Sequence, residues 1–195
     1  MRSSLAKEMS DILTNWGIDF DRQLRLRMWP DFEHGGFYLD VLGMADEAVS
    51  SGSDLASAIG GLFMYQQLAE EVLRAIDYWC HYRTKIATYP NQIDYEIPER
   101  LMFGQLIRRL EDGEDFPEKA RIIPAADRLN KACRIPVAHK LLYDDTLRNC
   151  RKLAMDAKDA TNEITDCLNC FQDAMFTEFE RMVDQKGIPD ERPNG

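Results

Sequence analysis

Apolar side chains recur every three or four positions along most of this chain. Leu5, Met9, Ile12, Leu13, Trp16, Phe20 and Leu24 fall on one stripe, which predicts a helix from Leu5 to about Met28. Trp29-Pro30-Asp31 ends it, because a residue before proline avoids the α region. His34-Gly35-Gly36 reads as a loop and Phe37 to Val49 as a short helix. Ser50-Ser51-Gly52-Ser53 reads as a linker, with Ser53 as the N-cap of the next helix.

That next helix is predicted to be long, from Asp54 to about Thr88, with Leu62, Leu68, Val72, Ile76 and Trp79 among its apolar positions. Gly60-Gly61 inside it marks either a close helix contact or a break. Tyr89-Pro90-Asn91 ends this helix. Pro98 suits a first turn, so a helix is expected from Glu99 to Asp112 with Gly113 as its stop. Pro117 opens another helix, which Pro124 kinks or restarts and which runs through Leu129 and Cys133. Pro136 predicts a break at Ile135 and a new helix near Pro136. Asp144-Asp145 looks like a turn with a cap, leading into an amphipathic segment to about Lys186. The tail from Gly187 is polar, and no β alternation is sustained. The expectation is an all-α bundle: a helical N-terminal extension over 1–50, a helical domain over 54–186 and a polar tail over 187–195.

Composition narrows the function classes. No run of 18 apolar residues occurs, so no membrane span or membrane partner is expected. The N-terminus turns polar at once and does not read as a signal peptide. Five cysteines, an odd number, suit a reducing cytoplasm better than a disulfide framework. A net charge of −10 argues against nucleic-acid binding by the whole surface. That charge is uneven, because residues 119–152 hold nine Lys/Arg against three acids.

The basic stretch brackets one unusual run, Asn130-Lys131-Ala132-Cys133-Arg134-Ile135-Pro136-Val137-Ala138-His139-Lys140-Leu141-Leu142. It places a titratable His among Pro, Val, Ala and Leu. Arg27 precedes His34 and Arg74 precedes His81 at comparable spacing, so spacing alone selects nothing. Context selects Arg134 and His139: small apolar residues before the His, a helical hairpin signal upstream and a long amphipathic segment downstream. With those features the run resembles the R-x4-6-H motif of the HEPN superfamily, small all-helical domains of which many are metal-independent RNases. The resemblance covers roughly residues 54–182. Met102-Phe103-Gly104-Gln105-Leu106-Ile107 is similar to the helix preceding the motif in that family, and Glu70 with Arg74 to an acidic–basic pair on an early helix.

The resemblance implies a homodimer in which two motifs meet across a two-fold axis to make one composite site. It implies His139 as the acid/base, Arg134 as the phosphate-binding catalytic residue, and Lys131 and Lys140 as RNA- or phosphate-binding helpers. It implies no metal and no cofactor, RNA as substrate, and an antitoxin or regulatory protein as a further partner. A His near neutral pKa can move the proton and a permanently charged Arg can hold the phosphorane. Ile135 stands where active members often carry Asn, Asp or His, which keeps open a catalytically inactive, dimeric binding or regulatory protein. On a straight helix five residues turn the chain by roughly 140°, so Arg134 and His139 share a cleft only if Pro136 bends the chain. The long stripe of 145–186 also suggests a dimer, since it exceeds what a short bundle covers.

Other constellations are weaker. Cys167-Leu168-Asn169-Cys170 lacks the second ligand pair of a zinc site and reads as helical thiols. His34 reads as a loop residue and His81 as a packing residue. Glu70 and Arg74 read as a surface ion pair. No glycine-rich phosphate loop and no GxSxG occurs.

Overall fold

A computed structural model describes residues 33–51, 54–88, 101–134 and 144–186. These form five α-helices and one π-helical segment, with no strand among the described residues. They are α1 (Glu33–Ser50), α2 (Leu55–Thr88), α3 (Phe103–Asp112), α4 (Lys119–Arg128), the π-helical segment Leu129–Arg134, and α5 (Asp144–Lys186). The all-α expectation holds. None of these helices is long and apolar enough to cross a membrane.

The spine is α2 beside α5, 34 and 43 residues long. They run parallel, since Thr161 Oγ1 donates to the Tyr65 carbonyl, Trp79 meets Phe171, and Arg83 reaches Glu178. The α5 stripe packs as its spacing predicts: Ala157, Ile164, Cys167, Phe171, Met175 and Phe179 are all buried. One chain therefore covers the stripe whose length suggests a dimer in the sequence. Trp79 is the centre of this core. Its ring stacks on Phe179 at 5.4 Å and meets Phe176 edge-on at 5.0 Å. Each such pair adds roughly 0.5–1.5 kcal/mol beyond burial.

Helix α1 lies antiparallel across α2 and α5. Tyr38, Ala45 and Val49 enter the same core, and Tyr38 Oη bonds Thr165 Oγ1 at 2.8 Å. Asp46 gathers three helices: Tyr65 Oη donates to it, and Lys158 Nζ lies 3.0 Å away. Gly61 is the close contact expected of the Gly60-Gly61 pair, and the helix does not break. A Cβ there would overlap Val49 Cγ2 and lie 3.3 Å from the Ala45 carbonyl, whereas Gly60 has open space.

Several boundaries differ from expectation. Residues 34–36 begin α1 rather than forming a loop. Glycines can enter a helix at about 1 kcal/mol each relative to alanine, and burial of Tyr38, Ala45 and Val49 offsets that cost. The cap of α2 is Asp54, whose Oδ1 accepts the Ser57 N–H at 2.7 Å, so the cap falls one residue later than Ser53. Helix α3 starts at Phe103 rather than Glu99. Met102 is extended (φ −67°, ψ 150°), and its N–H is taken by the Gln105 side chain at 2.9 Å. Gly113 stops α3 with extended backbone, its N–H donating to the Arg109 carbonyl. Helix α4 begins after Pro117 and Glu118, the latter left-handed at φ 63°. It passes through Pro124 as one element. Pro124 and Ala120, whose carbonyl loses its i+4 donor, both lie on the exposed side. The predicted helix of 5–28, the break at Ile135 and the tail from Gly187 lie outside the described residues.

Candidate functional site

The run that carries the motif begins in an unusual local structure. After Arg128 the helix widens, and the Leu129 N–H is shared between the Ala125 and Ala126 carbonyls. The next six residues, Leu129–Arg134, are π-helical. Such turns are rare and often sit at functional sites. Packing holds this one: Leu129 and Asn130 are buried, and the segment lies against α2 and α5. Across from it, α3 presents Gly104, where a Cβ would stand 3.1 Å from Asn130 Nδ2. A glycine at that position leaves room for the Asn130 side-chain amide against the α3 backbone.

Arg134 closes the π-helical segment. His139 and Lys140 lie outside the described residues, as does the approach of Arg134 to His139. Lys131 is exposed and paired with Asp127, Nζ to Oδ2 at 2.8 Å. Two other cations of the basic stretch are paired in the same way, and Lys119 is held by carbonyls. Arg121 meets Glu118 at 2.9 Å and Arg128 meets Glu163 at 2.7 Å. Lys119 Nζ donates to the Gly113 and Glu114 carbonyls and sits 5.6 Å from the Phe116 ring centre. Among the described residues, three cations of the stretch thus meet an acid: Glu118 beside it, Asp127 within it and Glu163 on α5. Pairs this exposed contribute at most about 1 kcal/mol and exchange readily.

A second cluster has no counterpart in the sequence motifs. Asp77, in the middle of α2, is buried and bonded to Arg109 Nε at 2.9 and 3.1 Å. They border a cavity of about 180 Å³ whose other walls include Cys80, Thr84, Leu110 and Phe116. Burial lifts the Asp77 carboxyl above its ordinary value of 3.8, against the opposing pull of Arg109 and Arg74. Burial also pushes the Cys80 thiol up to about 12, which leaves it protonated and unreactive at neutral pH. The available signal was one acid inside the apolar run Ala75-Ile76-Asp77-Tyr78-Trp79. Nearby, Glu70 and Arg74 pair at 2.6 Å, and Arg74 also donates to the Leu101 carbonyl. This pair is largely buried rather than a surface pair, and it fastens the approach to α3.

The remaining candidates are structural. His81 is buried and meets Tyr82 edge-on, a packing position. Cys167 is buried and Cys170 exposed. No cluster of His, Cys, Asp and Glu suited to a metal ion occurs among the described residues. Comparison with protein-family models, with curated proteins and with solved structures finds no match.

Proposed function

We propose that this chain is an HEPN-like endoribonuclease acting without a metal through a composite site built from Arg134 and His139 of two chains. The observation that supports this most is the footing of Arg134. It ends a π-helical turn whose Leu129 and Asn130 are held in the core, so the arginine of the motif starts from fixed backbone. In the reaction the RNA 2′-oxygen attacks the neighbouring phosphorus and its proton passes to a base. The P–O5′ bond breaks and the leaving oxygen takes a proton, giving a 2′,3′-cyclic phosphate and a 5′-hydroxyl. His139 moves the protons and Arg134 neutralises the phosphorane. Lys131 joins by exchanging Asp127 for a phosphate, since an exposed pair is replaced at little cost. Lys140 is the second phosphate-binding helper, and an antitoxin-type protein is the expected regulator.

A second reading is favoured by two observations: Ile135 after the arginine, and the ion pairs that occupy Arg121, Arg128 and Lys131 of the basic stretch. It makes the chain an inactive HEPN-like dimer with a binding or regulatory role. Incubation of purified protein with a mixed RNA pool in EDTA separates the two. Cyclic-phosphate ends that disappear in Arg134→Ala and His139→Ala support the nuclease. Intact RNA with wild-type protein supports the inactive dimer.

A further inference from the structure

Helix α1 carries two adjacent apolar stripes, each with the spacing four, three, four of a helix-packing seam. Tyr38, Leu42, Ala45 and Val49 form the first, and it is covered by α2 and α5. Phe37, Val41, Met44 and Ala48 form the second. It is open at Phe37, 67% exposed, and at Met44, 59%, while Val41 packs partly against the core and Ala48 borders Gly61 of α2. A solvated helix face seldom sets large apolar residues this exposed at seam spacing, so the face suits an apolar occupant.

We propose that the occupant is residues 5–28 of the same chain, folded back along α1 as an antiparallel helical hairpin. Three features of the sequence favour this over a second copy. The segment has its own seam, Leu5, Met9, Ile12 and Trp16, continued by Phe20 and Leu24. It ends at Met28, a short connection before Glu33, and connections of 2–8 residues join antiparallel neighbours in helical bundles. The register also matches. Folding back at Trp29–Phe32 sets Leu24 beside Phe37, Phe20 beside Val41, Trp16 beside Met44 and Ile12 beside Ala48. Twenty-four helical residues span about 36 Å, enough to cover the whole second stripe of an 18-residue helix. This hairpin does not depend on the nuclease reading.

Hydrogen exchange followed by mass spectrometry on the full chain tests it, with sedimentation at the same concentrations. In the wild type, amides of 9–24 should be protected, independently of protein concentration. Met44→Asp should speed their exchange about tenfold or more while the middle of α2 and α5 keeps its protection. Phe20→Asp, on the other side of the seam and outside the described core, should release the same amides. The proposal is overturned if 9–24 exchange freely in the wild type or stay protected in both variants. It is also overturned if their protection falls on dilution together with a dimer, which would assign the face to a second copy.

Discussion

The Asp77–Arg109 pair in the middle of the bundle and the Lys131–Asp127 pair at the π-helical end are both lysine- or arginine-to-aspartate contacts near 2.9 Å. Their surroundings are opposite. Asp77 is 5% exposed at its side chain, whereas Lys131 is 70% exposed. Burial turns the first into a structural commitment, because removing one partner strands the other in the core. Exposure leaves the second exchangeable, because water already solvates both charges. The same contact is therefore a fastener at one place and a displaceable counter-ion at the other, and phosphate binding needs the second kind.

The largest expected effect lies at the buried pair. Arg109→Ala should lower stability by about 3 kcal/mol at pH 7, read by urea unfolding. The loss should shrink at pH 5, because a carboxyl without its partner escapes by taking a proton. A loss under about 1 kcal/mol at pH 7, the size of an exposed pair, would remove the contrast between the two regions.

A smaller effect is the pH dependence that each carboxylate contributes. Asp77 has a raised folded value, so between 3.8 and that value the native state holds more proton than the unfolded chain. Its contribution is fully present below 3.8 and is lost as pH rises through the folded value. Asp46 behaves oppositely. Desolvation raises its value, but the hydrogen bonds from Tyr65 and Lys158 together outweigh that and lower it. Its contribution is therefore present above 3.8 and lost as pH falls. Unfolding of wild type, Asp77→Asn and Asp46→Asn across the acid range up to neutrality should give difference curves of opposite slope. Parallel curves would contradict the assignment of burial as the dominant influence on Asp77.

The smallest stability effect is expected at the exposed pairs. Lys131→Ala and Arg128→Ala should each change stability by less than about 1 kcal/mol. If Lys131 accepts a phosphate, its removal should weaken RNA binding and reduce the salt slope of log K by about 1. An unchanged salt slope would take Lys131 out of the site.

The long helices were legible because their stripes are long. Helix α2 from 55 to 88 and α5 from 144 to 186 match the expected ranges closely, since many independent positions support each. Short-range decisions were not. The start of α3 depends on whether Glu99 or Phe103 leads, and the Gln105 side chain settles it by taking the Met102 N–H. The π-helical turn had no local signature, because packing of Leu129 and Asn130 against α2, α3 and α5 selects it. Glu70–Arg74 and Asp77–Arg109 were misread or missed for one reason. Periodicity tells which face of a helix is buried but not which charged side chain is drawn in by a partner about 30 residues away. Of the candidate site, the helical course of the chain through Leu129 into Arg134 was legible. The ion pairing of its basic surroundings was not, since Arg128 finds its acid on α5.

RNA cleavage by Arg134 and His139, as proposed, has a direct test. Gel analysis of end-labelled RNA incubated with wild type, Arg134→Ala and His139→Ala in EDTA tests it directly, with circular dichroism confirming that each variant stays helical. Wild type should give cyclic-phosphate products, and both folded variants should lose about 100-fold or more of that activity. Cleavage by folded His139→Ala at the wild-type rate, or intact RNA with wild type, would contradict the proposal.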